Sequence, residues 1–203
     1  MPVRRTLAAL LAVVALALTA CGGSSGGDAK FYGITHDAYQ VLPDTLTDTD
    51  GKPFSLVDDA TKPLTLVFFG YTHCPDICPM VMSNLASALT RLDDDEQSKV
   101  QVVFVTTDPS RDTPAVLRRY LDRYNKDFIG LTGSLDTIAK IAKPLAVYVA
   151  QGQKLPSGGY DLNTHSTQVT AIGADHRARV LWTMDTSSAQ YASDIRSLLQ
   201  QAS

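Results

Sequence analysis

Two cysteines four positions apart, Cys74 and Cys78, stand in the run Gly70-Tyr71-Thr72-His73-Cys74-Pro75-Asp76-Ile77-Cys78-Pro79. A thiolate is the form of cysteine that binds metal and attacks disulfides, so the chemistry depends on what makes these thiols ionise. The motif follows an apolar run at residues 64–70 that reads as a buried strand. It precedes residues 79–92, where Val81, Leu85, Ala88, Leu89 and Leu92 recur at helical spacing. Pro79 suits the first helical position, where its missing N–H costs nothing. That places Cys78 near the cap and Cys74 in the loop before it. Both thiols then feel the positive end of the helix dipole, which favours thiolate.

Three chemistries fit such a pair. A structural disulfide is the plainest, although a core of about 150 residues scarcely needs so short a loop closed. A redox dithiol is the second, suited to an oxidising compartment. A metal site is the third: two thiolates make a soft site that favours Cu(I), whereas structural zinc would want four ligands. Any metal would need histidine as well. His36 lies in a polar lead-in and His176 in a turn, and both read as solvated. His73 adjoins Cys74, but neighbouring side chains in an extended turn point apart. His165, in the polar loop at residues 158–166, is the candidate third ligand for the cysteine pair.

The elements that must position these residues follow from periodicity and turn signals. Residues 30–43 form an extended lead-in. Asp50-Gly51 turns a hairpin within residues 45–56. A second buried strand covers residues 100–106, and Pro114 opens a helix at 113–124. A short edge strand is expected at 128–131, a helix at 134–142 capped by Ser134 or Asp136, and the start of a strand at 147–149. Residues 167–172 and 178–183 flank a second hairpin turn, and an amphipathic helix at 187–200 closes the chain. Strand–helix–strand, then a hairpin and a helix, predicts an α/β layered domain with a mixed sheet.

Composition divides the chain. Of its 203 residues, 44% are hydrophobic and the formal net charge is −3. Fifteen of the first 20 residues are apolar, with Arg4 and Arg5 ahead of the apolar run. Without them the chain has 16 basic and 21 acidic residues, net −5, which argues against a nucleic-acid surface. The leader reads as a secretory signal, since a membrane-spanning helix needs about 20 apolar residues. Leu18-Thr19-Ala20-Cys21 resembles a bacterial lipobox, in which Cys21 carries lipid. Residues 22–28 are then a flexible Gly/Ser tether. Lipidation would account for the odd cysteine among three. The expected organisation is a signal peptide at 1–20, a lipid-anchored tether and lead-in at 21–42, and one domain at 43–203.

The motifs GYTHCPDICP, VTTDPSRDTP and FIGLTGS, with YDLNTHST later in the chain, resemble the Sco/SenC family across residues 43–200. The resemblance implies a thioredoxin-like α/β fold, a mixed sheet flanked by helices with an N-terminal hairpin addition. It implies Cys74, Cys78 and His165 as ligands for Cu(I) and Cu(II). It places Asp108 near the metal in a supporting role. It also implies service to the binuclear copper centre on the copper-bearing subunit of cytochrome c oxidase. The chain departs from the family at Thr164, where an acidic residue usually precedes the histidine; Asp161 lies four residues before His165. Thioredoxin-like reductases place a cis-proline opposite the cysteine pair, and residues 164–172 contain no proline, which favours metal over purely redox work. The expected protein is a monomeric metallochaperone, lipid-anchored on the extracytoplasmic face of the cell membrane. The alternative is a thiol–disulfide oxidoreductase or peroxiredoxin-like reductase using Cys74 and Cys78 without stable metal. A binding domain with a structural disulfide is the third reading.

Overall fold

The computed structural model describes residues 31–150, 153–154, 160–161 and 166–202. Cys21 and His165 lie outside the described residues. In chain order the elements are β1 (Ile34–Gln40), β2 (Thr45–Asp48), β3 (Pro53–Ser55), β4 (Leu64–Gly70), α1 (Ile77–Leu89), α2 (Asp94–Ser98), β5 (Val100–Thr106) and α3 (Pro114–Leu121). They continue with β6 (Ile129–Thr132), α4 (Leu135–Ala142), β7 (Gln153–Lys154), β8 (Tyr160–Asp161), β9 (Val169–Gly173), β10 (Arg177–Trp182) and α5 (Ser188–Gln201).

Eight strands form one sheet in the order β1-β10-β9-β4-β5-β6-β2-β3, and β7 and β8 pair separately. β4, β5 and β6 run parallel, while β9 and β10 are antiparallel to their neighbours. The expected thioredoxin-like arrangement is therefore present. Every residue of β4 and β5 is buried, which is why their sequences are apolar runs rather than alternations. Successive side chains serve opposite faces. Leu64, Leu66 and Phe68 pack with α1, α3 and α5, whereas Val67 and Phe69 pack with α4.

Several elements differ from their sequence reading. β6 is not an edge strand, because the β2–β3 hairpin pairs along its outer side, Thr47 with Thr132 and Asp48 with Leu131. That hairpin turns where expected: Gly51 adopts φ 79, and the Asp48 carboxylate accepts hydrogen bonds from the amides of Asp50 and Lys52, both at 2.8 Å. α2 has no apolar periodicity to announce it; it is held by a capping box between Asp93 and Glu96. No strand begins at 147. Residues Lys143–Leu145 form a 3-10 turn, Ala146 follows at φ 56, and only Val149 makes an isolated bridge.

The lead-in is tied into the domain at both ends of its strand. β1 pairs with β10, and just before it Asp194 of α5, 1% exposed, gathers three donors. Its carboxylate accepts from Tyr32 N at 3.1 Å, Gly33 N at 2.8 Å and Trp182 Nε1 at 2.7 Å. Asp194→Ala would leave these donors without their acceptor, at a cost of about 3 kcal/mol. Urea unfolding is expected to register that loss, and Asp194→Asn, which keeps one acceptor, should lose less.

Candidate metal centre

α1 begins at Ile77, two residues earlier than the proline signal suggested, with Asp76 at the cap. Cys78 is thus the second helical residue, and Pro79 the third. The first-turn amides of a helix have no partner within it. The Asp76 side chain caps none of them. Instead, the Cys78 N–H donates to Cys74 Sγ at 3.3 Å. Pro79 brings no amide of its own to compete for that sulfur. A thiol sulfur therefore occupies the place that a capping oxygen would take.

The two cysteines differ sharply. Cys78 is fully buried in the core under α1, and Cys74 is half-buried at its rim. The Cys74 thiol is lowered to about 5 by the hydrogen bond from the Cys78 thiol, by the Cys78 and Asp76 amides, and by the Tyr71 hydroxyl, against the opposing effect of burial. Cys78 is pushed well above the ordinary thiol range by its hydrogen bond to Cys74 and by burial. Tyr71 is likewise raised, by burial and by the charge developing on Cys74. The surroundings thus favour the thiolate at Cys74 and the neutral thiol at Cys78.

Backbone geometry makes room for this. A Cβ added at Gly70 would lie 3.0 Å from Cys78 Sγ and 2.8 Å from Phe68, so only glycine lets the buried sulfur sit against the end of β4. The cysteine loop then closes through the bond from Cys74 N to Tyr71 O at 3.2 Å.

A second loop supports the first. β4 and β5 pair in register, Gly70 opposite Thr106, so the segments that leave them emerge side by side. Thr107 N donates to Gly70 O at 2.6 Å. Asp112, wholly buried, bridges the two loops. Its Oδ2 accepts from Thr72 N at 2.9 Å and from Thr106 Oγ1 at 2.7 Å, and its Oδ1 accepts from Thr72 Oγ1 at 2.6 Å. Asp108 does something different. Its carboxylate accepts from Ser110 Oγ at 2.7 Å and from Arg111 Nε within its own turn. Asp112 bonds the cysteine loop directly through Thr72, whereas the Asp108 carboxylate holds Arg111, whose charge acts on Tyr71, and the Asp108 amide donates to Thr106 Oγ1 at 2.9 Å. Asp112 and Tyr71 are not among the site residues that the sequence singles out. The signal for both was their adjacency to the motifs, and only the strand register connects them.

The histidines separate as follows. His73 is exposed, contacts Thr72 Oγ1 through Nδ1 at 3.1 Å and lies 3.8 Å from Asp112. His36 stacks on Tyr39, and His176 occupies the β9–β10 turn at φ 55. Among the described residues no three His, Cys, Asp or Glu side chains cluster as a metal site. The donors present are the two cysteine sulfurs, with Cys74 the more acidic, which suit a soft cation.

A family model described as SCO1/SenC matches residues 35–200. The mitochondrial SCO2 protein of Saccharomyces cerevisiae is 41% identical over 106 residues, covering 52% of this chain and 35% of that protein. The chain spans between 32% and 64% of the length of the first curated relatives it matches. The structure of Bradyrhizobium japonicum ScoI with copper bound is similar at a TM-score of 0.68 and 31% identity, covering 78% of this chain and 99% of that one. BsSco, a member of the Sco family of cytochrome c oxidase assembly proteins in which a disulfide switch was identified, is similar at 0.64 and 25% identity, covering 82% and 98%.

The asymmetry of the thiols has a measurable consequence. The rate of Cys74 alkylation in the reduced, metal-free protein is expected to rise through a midpoint near pH 5. Cys78→Ala, which removes the largest stabilising donor, should move that midpoint up by roughly a unit. Because the folded value is depressed, the linked stability is full above the free thiol's range and fades as pH falls through about 5.

Proposed function

This chain belongs to the SCO1/SenC family, and from that premise we propose that it is an extracytoplasmic copper-binding metallochaperone. It delivers copper to, or keeps reduced the cysteines of, the binuclear copper centre of cytochrome c oxidase. The observation that carries this reading is the cysteine pair at the start of α1, where Cys74 Sγ at the rim accepts from the Cys78 N–H at 3.3 Å and Cys78 is buried behind it. Two soft donors side by side match Cu(I), and a neutral imidazole, assigned to His165, extends the set to Cu(II). The likeness to ScoI with copper bound supports copper as cargo. The likeness to BsSco, of a family of cytochrome c oxidase assembly proteins, supports that oxidase as the recipient, and its copper-bearing subunit is the part we assign.

The chain's own groups prepare the site. The amides of Asp76 and Cys78 and the Tyr71 hydroxyl hold Cys74 as an anion before a cation arrives. Asp112 fixes the loop through Thr72, so Cys74 need not be ordered on binding. Asp108 supports from further back by holding Arg111. Cys74 at the rim is the sulfur that a recipient's ligand can reach, while Cys78 stays shielded.

The same asymmetry favours a second reading, thiol–disulfide exchange. A thiolate at Cys74 attacks a disulfide, and Cys78, on losing its proton, resolves the mixed disulfide. The disulfide switch of BsSco supports it. The remaining assignments are lipidation at Cys21, a membrane anchor through that lipid and a monomeric working state. Among the described residues no helix is long and apolar enough to cross a membrane.

Copper titration of the reduced domain beginning at Asp28 tests the proposal. One tightly held copper per chain is expected, with affinity reduced at least roughly a hundredfold in Cys74→Ser, Cys78→Ser and His165→Ala. An unchanged affinity in His165→Ala removes that histidine from the ligand set. Copper lost to a modest competitor, with fast exchange against an oxidised cysteine pair, moves the assignment to the reductase reading. The mass of the mature N-terminus checks the lipid on Cys21.

A further inference from the structure

Beside the cysteine loop a shallow groove of about 290 Å³, open to solvent, is lined by Thr72, His73, Val116, Arg119, Tyr120 and Arg123. Its walls carry two guanidinium groups on a chain whose net charge is −3. Arg118, next along α3, pairs with Asp122 at 2.9 Å. Arg119 and Arg123 make no ion pair with any described residue. Both are exposed. Arg123 is nonetheless held in place: its guanidinium lies 4.8 Å from the Tyr120 ring centre, and its Nε donates to Tyr120 O at 3.3 Å. A cation fixed without an anion is ready for one supplied from outside.

We propose that this groove docks an acidic stretch of polypeptide flanking the cysteine that Cys74 engages on a partner protein. The inference rests on Cys74 as the group that meets the partner, as proposed above. Three observations carry it. The groove begins at Thr72 and His73, within two residues of Cys74, so a chain lying in it presents its next residues to the sulfur. Arg119 lies on α3 and Arg123 in the turn just beyond its end, so the lining carries two separate cations, which suits a segment bearing several carboxylates better than a lone charge. The floor, Val116 and Tyr120, offers apolar contact to the chain between those carboxylates. The groove is too shallow to enclose a small molecule, which argues for a partner that brings its own bulk.

The test uses the full chain, reduced and free of metal, with peptides of one cysteine blocked as a chromophoric mixed disulfide. The cysteine is flanked by Asp and Glu, by Asn and Gln, or by Lys. Cys74 thiolate attacks the blocked sulfur and releases the chromophore as thiolate; the Cys78 thiol then gives up its proton, attacks Cys74 and releases the peptide thiolate. The probe is the oxidant for both electrons. The acidic peptide is expected to react about five- to tenfold faster than the neutral one at low salt, with the advantage lost at high salt. Arg119→Glu with Arg123→Glu should abolish or invert that ratio and leave the rate with neutral hydroxyethyl disulfide unchanged. Equal rates for acidic and neutral peptides, or a ratio indifferent to the double reversal, overturns the proposal. A loss with glutathione disulfide as large as with the acidic peptide overturns it in favour of a small carboxylated thiol. If Cys74 is unreactive towards every disulfide, binding of the acidic peptide with serine for cysteine, read by fluorescence anisotropy, decides: arginine-dependent binding upholds the groove and its absence overturns it. Copper titration of the double reversal stays at the parent value if the groove acts only in docking, so failure here and failure of the copper reading are told apart.

Discussion

The parallel ladder between β4 and β5 is the interaction on which the site depends. Seven residues pair in strict register from Leu64 with Val100 to Gly70 with Thr106. Both strands are buried on both faces, so the register cannot slip without moving a full set of side chains into the wrong layer. The two strands therefore end at one level. The cysteine loop and the loop that carries Asp112 leave the sheet side by side, and one buried carboxylate can hold both. Short bonds from Thr72 and Thr106 to that carboxylate turn an accident of adjacency into a fixed frame.

Within this frame the thiols acquire opposite roles from their surroundings alone. Chemically identical groups four residues apart are separated by what each meets: amides and hydroxyl dipoles around Cys74, apolar side chains around Cys78. One sulfur is charged and accessible, the other neutral and shielded. Such a division serves the capture of a soft cation and serves thiol exchange equally, because both begin with a stabilised thiolate beside a second sulfur. It gives the proposed transfer a direction, outward from Cys78 through Cys74.

Much of the fold was readable in the chain before any coordinates. Runs of β-branched and aromatic residues marked β4 and β5, the helical spacing of Val81, Leu85 and Leu89 marked α1, and Asp50-Gly51 marked a hairpin. What misled was context that lies far away in the chain. β6 looked like an edge because its own four residues say nothing about β2, some 80 positions earlier, which covers it. The proline at 79 suggested a helix start that the structure moves to Ile77, since the first turn tolerates proline at its third position as well as its first. α2 escaped notice because capping, not burial, holds it together.

The sequence by itself determined the chemistry available: which side chains can ionise, bind a soft metal or exchange disulfides, and which short motifs present them. Those properties are local, set by residue type and by the turn or helix end a few residues away. The tertiary structure alone decided which of these side chains act on one another. Nothing in the order of residues says that Asp112 rather than Asp108 holds the cysteine loop, that Tyr71 lends its hydroxyl to Cys74, or that Arg119 and Arg123 line one groove with His73. Those relations are distances across strands and between layers, and they exist only once burial of both faces of the sheet has set the register.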